Sequence, residues 1–161
     1  MKFPRVVRLD SSDVQVFRQA AAPGEWAVAG TFAYVDLDPT ALAAKDKLAF
    51  HSAWLGTESF GQASLVEVAE ITEADFFAVV EHLARHFVER YGAPDLAGAL
   101  PVAREEADLA AGLCSHKIHT LMAIERDWSE DGIHERVRVI KPGRATDHAR
   151  IWEIQPDDEG A

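Results

Sequence analysis

A single cysteine in 161 residues excludes a disulfide framework and any four-cysteine or CxxC metal site. Basic residues are also scarce. Sixteen Lys and Arg stand against 27 Asp and Glu, a formal net charge of −11, which is the wrong sign for a general nucleic-acid binder. No run of about 18 apolar residues occurs, so no membrane-spanning helix is expected. The start, Met1-Lys2-Phe3-Pro4-Arg5, carries positive charge but no apolar block of signal-peptide length, and the expected location is a reducing cytoplasm. Gly-x-Ser-x-Gly, phosphate-binding-loop and Gly-x-Gly-x-x-Gly motifs are missing, which disfavours acyl transfer, nucleotide hydrolysis and dinucleotide redox chemistry. Nothing in the sequence calls for a cofactor. Internal repeats and low-complexity linkers are absent too.

What is present reads as one folded domain. Hydrophobic residues make up 48% and charged residues 27%, ordinary values for a water-soluble globular chain. A chain of this length buries roughly two thirds of its unfolded surface and needs no metal or disulfide for stability. The expected domain covers residues 1–154, with a basic, loosely held start. Residues 155–161 are expected to form a flexible acidic tail.

The clearest element is a helix over Glu73 to Tyr91. Thr72 is a good N-cap with Asp75 three residues on, and Ile71 with Phe76 forms a hydrophobic staple. Phe76, Val80, Leu83, Phe87 and Tyr91 follow the helical period, Gly92 supplies a left-handed stop and Pro94 prevents continuation. A second helix is expected from Pro39 to Leu55, capped by Asp38, with Leu42, Leu48, Ala49 and Ala53 on its apolar side. A third is expected from Pro101 to Leu113, turning Val102, Leu109, Ala110 and Leu113 inward.

Strand patterns fall between the helices. From Glu25 to Val35, large residues (Trp26, Val28, Phe32, Tyr34) alternate with small ones, as in a strand closely covered on its small face. Ala63 to Ile71 is apolar on both faces apart from Glu67 and Glu70 and reads as an interior strand. Short strands are expected at Val6–Leu9 and Val14–Phe17, joined by an Asp10–Asp13 turn, and a last one at Arg150–Ile154. The segment Lys117 to Ile140 predicts a hairpin around Ser129-Glu130-Asp131-Gly132. With Trp128 opposite Ile133, Ile124 meets Val137 and Met122 meets Val139. Arg126 then meets Glu135, Glu125 meets Arg136 and Asp127 meets His134, and each such pair is worth about 0.2–1 kcal/mol. A slip of one residue loses every one of them. The fold class is α+β: a mostly antiparallel sheet, about three helices on one face and a C-terminal β-hairpin.

Several constellations invite chemistry. Cys114-Ser115-His116-Lys117-Ile118-His119 offers zinc ligands, but in no standard spacing, and a strand from Lys117 onward would send His116 and His119 to opposite faces. His82 and His86 lie at i and i+4 with Glu89 beyond, a spacing open to metal. They share a charged face with Glu81, Arg85 and Arg90, and a solvated helix face explains them more simply. Glu67 and Glu106 are expected half-buried, either as acid–base groups or paired with Arg104 or Arg126. The aromatic set of the first half reads mainly as core. It also offers an apolar groove, and the residues expected to bind there are Trp26, Phe32, Tyr34, His51 and Trp54.

The run Pro23-Gly24-Glu25-Trp26-Ala27-Val28, then Gly30-Thr31-Phe32, Phe60-Gly61, Tyr91-Gly92-Ala93-Pro94-Asp95 and Ala103-Arg104-Glu105-Glu106, resembles a small bacterial family known only as a domain of unknown function. The resemblance spans about Phe3 to Ile140 and supplies no catalytic residues. It implies an accessory or assembly role beside cofactor-containing oxidoreductases. The expected function is therefore a non-catalytic accessory or binding protein whose acidic surface steers a basic protein partner. The alternative is a small metal-binding protein or enzyme using His51, Glu67, Glu106 or the Cys114–His119 segment. A homodimer through an open sheet edge is a further expectation.

Overall fold

The computed structural model describes residues 1–142 and 152–156. The chain opens in strand β1 (Lys2–Val6), with Phe3 wholly buried. The loosely held start is therefore corrected to an ordered strand. Pro4 is tolerated there because β1 is the sheet's edge, where a missing N–H breaks no ladder. The expected strand at Val14–Phe17 is instead a short helix, α1 (Ser12–Val16). Its Asp13 carboxylate is buried and accepts from the Ser64 N–H (3.2 Å) and hydroxyl (2.6 Å), a tertiary tie that no local pattern announces.

Of the expected Glu25–Val35 strand, Ala27–Val28 forms β2 and Trp26 makes an isolated antiparallel bridge to Arg5. Gly30 turns the chain at φ 77°, and a Cβ there would stand 2.7 Å from that of Leu55. Thr31–Tyr34 then winds into a 3₁₀ turn. The second helix is shorter than expected. Asp38 caps only the 3₁₀ turn Pro39–Ala41 through the Thr40 N–H (2.9 Å), and α2 runs over Ala44–Ser52. Ala49 is buried on it but Leu48 is exposed. The residues beyond, Trp54–Gly56, form strand β3, which pairs with β2 and with β4 (Gln62–Ala63) in a three-stranded sheet.

The larger sheet has the order β1-β5-β6-β7-β8, every neighbour antiparallel, with β5 (Val66–Glu70), β6 (Leu121–Ser129), β7 (Gly132–Pro142) and β8 (Trp152–Pro156). β5 is the interior strand expected within Ala63–Ile71, and it begins three residues late because Gln62–Ala63 joins the smaller sheet. The β6–β7 register is the expected one, with Trp128 opposite Ile133, Ile124 opposite Val137 and Arg126 opposite Glu135. The hairpin starts later than Lys117. His119 takes a left-handed conformation (φ 73°) that lets its N–H reach Val68 O at 2.7 Å before β6 begins. Residues 143–151 and 157–161, with most of the expected tail and the start of the expected last strand, lie outside the described residues; Gln155 and Pro156 belong to β8.

Helix α3 (Glu73–Arg90) follows its sequence signals, Thr72 Oγ accepting from the Asp75 N–H at 3.1 Å and Gly92 leaving at φ 76°. Helix α4 (Leu96–Gly112) begins earlier than expected, because Asp95 caps it through the Gly98 N–H (2.7 Å) and Pro101 falls inside. Its inward face is corrected as well. Ala99, Ala103, Ala107 and Ala110 are buried, while Val102 and Leu109 are 54% and 66% exposed. Alanines let α4 lie close to α3, whose large residues Phe76, Val79, Val80, Leu83 and Phe87 fill the shared core with Phe3.

Val6, Val66, Val68, Met122 and Ile124 form a second cluster with Trp54, Ala27 and Ala63 of the small sheet. Helix α2 keeps a third cluster with Phe17, so the expected three helices on one face resolve into the α3–α4 pair and a separate α2. The α+β class with a mainly antiparallel sheet and a β6–β7 hairpin describes the molecule. Among the described residues no helix is long and apolar enough to cross a membrane.

Candidate functional site

The loop Thr57–Gly61, between β3 and β4, is built around one buried carboxylate. Glu25 Oε1 accepts from the N–H groups of Glu58 (3.1 Å) and Ser59 (2.8 Å). Its Oε2 accepts from the Ala22 N–H (2.6 Å) and the Ser59 hydroxyl (2.7 Å). Burial alone would raise its pKa, but the bonds from Ser59, Ala22 and Glu58 outweigh that and hold the carboxyl below its ordinary value. Thr57 ties the start of the loop to Trp26 O through both its N–H and its hydroxyl, each at 2.8 Å.

At the far end of the loop, Gly61 presses against the Ala20 backbone, where a Cβ would come within 2.6 Å. Phe60 beside it is left-handed, φ 56°. That conformation costs a non-glycine residue roughly 1–2 kcal/mol. It delivers the Phe60 ring onto His86 of α3, stacked at 3.7 Å and 3° between planes.

Loop and helix thereby enclose a cleft of about 1020 Å³. On the helix side it is bordered by His82, Arg85, His86, Glu89, Arg90 and Tyr91. Glu58, Ser59 and Phe60 face them from the loop, and Gln19, Tyr34, Trp54, Leu55 and Gln62 close the base. Tyr91 stands edge-on to His86 (5.4 Å, 61°). Burial, and secondarily the charge of Arg90, push the His86 pKa down, so near neutral pH the stack holds an uncharged imidazole. Arg85 is bonded to Glu81 at 2.7 Å. Trp54 is wholly buried at the base, and its indole Nε1 has no acceptor within the described protein. A buried unpaired N–H costs roughly 1–3 kcal/mol.

Of the residues expected to bind, Tyr34 and Trp54 border this cleft and the other three do not. Trp26 packs edge-on to Phe3 (6.2 Å) under the Arg5 guanidinium. Phe32 lies edge-on to Phe87 (4.9 Å) and to Tyr91 (5.3 Å), so it backs a wall residue of the cleft. His51 turns to the hairpin, its Nδ1 2.7 Å from Arg126 O. His82, His86 and Arg90, expected on a solvated face, border the cleft instead. The helical period cannot show that the loop between β3 and β4 folds over that face. The nearest local signal was the Ser59-Phe60-Gly61 run, a large aromatic set between turn residues.

Behind the cleft, Arg126 is fully buried and acts as a clamp. Its guanidinium donates to Phe50 O at 2.9 Å, to Thr31 Oγ1 at 2.8 Å, to Glu135 at 3.2 Å and to Ala29 O. It also lies 5.4 Å over the Tyr34 ring. One side chain thus joins the β6–β7 hairpin, the end of α2 and the 3₁₀ turn that carries Tyr34. Glu106 of α4 faces the same turn, its Oε1 3.4 Å from the Gly30 N–H, and burial raises its pKa.

The other titratable candidates are not brought together. Glu67 pairs with Arg5 (2.7 Å), with His119 Nδ1 at 3.6 Å, and not with Arg104 or Arg126. Burial pushes the Cys114 thiol up to about 12, so without a metal it stays protonated at neutral pH. No group of three or more metal-ligating side chains is found among the described residues.

Comparison with known proteins matches residues 1–154 to a family model described as a family of unknown function (DUF6505). No curated protein and no solved structure matches the chain.

Proposed function

The chain belongs to this family of unknown function, and from that premise we propose a binding role: the protein holds a small molecule in the cleft between α3 and the Thr57–Gly61 loop. The observation that carries the reading is that two departures from ordinary stability rules coincide there. Phe60 is held left-handed and the Trp54 N–H is buried unpaired, both on the walls of one cleft. Such departures concentrate where function overrides stability. His119 is also left-handed, but its N–H to Val68 accounts for that turn.

Size and lining agree. The volume of about 1020 Å³ lies just above the usual range for small-molecule sites, roughly 300–1,000 Å³. Aromatic walls alternate with a few fixed polar groups, and Glu25 preorganises one wall before any ligand arrives. The narrower form of the same reading is an accessory role, in which the bound molecule passes to or from a partner enzyme such as a cofactor-containing oxidoreductase. The net charge of −11 supports a partner with a basic surface.

Crystals soaked with planar aromatic fragments test the binding role. Density between Phe60, Tyr91 and Gln62 is expected. Fragments found only elsewhere on the molecule would overturn it.

A further inference from the structure

We propose that the molecule held in the cleft is a planar aromatic anion, its ring against the Phe60–His86–Tyr91 corner and its negative group on the Arg90 guanidinium. The inference rests on the binding role above and specifies what is bound.

The anionic half follows from the pairing of the arginines. Acidic residues outnumber basic ones, 27 to 16, so guanidiniums should readily find carboxylates. Arg5, Arg18, Arg85, Arg104, Arg126, Arg136 and Arg138 all do. Arg8 bonds instead to Ala21 O. Arg90 has no carboxylate within ion-pair distance among the described residues, although Glu89 is its chain neighbour. Arg90 borders the cleft together with His86 and Tyr91. A guanidinium presents donors in a fixed fork that matches a carboxylate or phosphate group.

The aromatic half follows from the walls. Phe60 and His86 close on one another at 3.7 Å, so no ring enters between them. Tyr91 stands at 61° to His86, so the rings of Phe60, His86 and Tyr91 meet at one corner of the cleft, which Arg90 also borders. Offset-stacked and edge contacts are what such a corner offers a flat ring.

The test uses the full chain, isotope-labelled, titrated with aromatic acids and their amides: benzoate and benzamide, quinoline-2-carboxylate and its carboxamide, and AMP against adenosine to separate phosphate from carboxylate. Cyclohexanecarboxylate is the saturated control. Amide resonances of Ser59–Gly61 and 85–91 should move, with each acid binding at least about tenfold tighter than its neutral partner and benzoate tighter than the saturated control. In Arg90→Gln, at an exposed position, the tenfold preference should vanish, with the amide dispersion of the parent spectrum retained as the check on folding. Cleft binding with no acid preference, or a preference that survives Arg90→Gln, would overturn the anionic assignment and leave the binding role standing. Equal binding of benzoate and the saturated acid would overturn the aromatic assignment. Absence of cleft shifts for the whole series would overturn the proposal and the binding role together.

Discussion

Replacing Glu25 by Gln tests how the cleft wall is held. The carboxylate accepts four hydrogen bonds, two on each oxygen. An amide oriented to keep the Glu58 and Ser59 N–H groups turns its NH2 toward the Ser59 hydroxyl and the Ala22 N–H. The hydroxyl can reverse and accept, but the Ala22 N–H then meets another donor. An unsatisfied buried N–H costs about 1–3 kcal/mol, and each of two retained bonds weakens by about 1 kcal/mol when its acceptor loses charge. Together these come to about 3–5 kcal/mol, or a fall in Tm of about 10 °C for a chain of this size. The pH dependence adds a second check. Because the folded carboxyl lies below its ordinary value of 4.5, its stabilisation is complete above that value and is lost as pH falls through the depressed one. The gap between parent and Glu25→Gln in urea denaturation should therefore be wide at pH 7 and narrow towards pH 3. A variant within about 1 kcal/mol of the parent at pH 7, or a gap that does not change with pH, would refute the reasoning.

Other perturbations follow from the same geometry. Gly61→Ala drives a Cβ to within 2.6 Å of the Ala20 backbone and should cost about 2–4 kcal/mol in chemical denaturation. Glu106→Gln has the opposite sign. Burial raises that carboxyl, so the parent loses stability as pH rises through the ordinary value towards the raised one, by about 1.4 kcal/mol for each tenfold weakening of the acid. The variant should gain on the parent as pH rises above 4.5, and a loss over that rise in paired thermal melts would contradict the assignment. On α4, Ala103→Leu should destabilise by about 1–3 kcal/mol or more while Leu109→Gln stays within about 0.5 kcal/mol, because the alanine is buried and the leucine is exposed. The reverse order would restore the inward leucine face that the residue pattern suggests.

The register of the hairpin could be read from the chain because it is decided by pairs of residues a few positions apart, and every apolar and ionic pair votes for the same alignment. Helix α3 was legible for a similar reason, its cap, period and stop all being local. Helix α4 was not. Its leucines and valine follow a helical period that the tertiary structure ignores, since close approach to α3 selects the alanine stripe. The failure at Glu25–Val35 has another cause. The alternation of large and small residues is real, but Gly30 bends the chain and a guanidinium nearly a hundred residues away takes up Ala29 O and Thr31. Of the residues that border the cleft, Tyr34 and Trp54 are among the aromatic residues the sequence singles out. That Phe60 meets His86, and that Arg90 borders the same cleft, was not legible, because the cleft exists only through a loop whose shape depends on Glu25, a long-range carboxylate cap without a sequence motif.

The most direct test of the cleft as a binding site is the indole region of the nitrogen–proton correlation spectrum, which holds one side-chain signal for each of four tryptophans. Trp54→Phe identifies the signal of the buried, acceptor-less indole at the base of the cleft. On titration with quinoline-2-carboxylate that signal should shift, saturably, while those of Trp26 and Trp128 stay in place. Saturable binding that moves the Trp26 or Trp128 signal and leaves Trp54 unchanged would contradict the account.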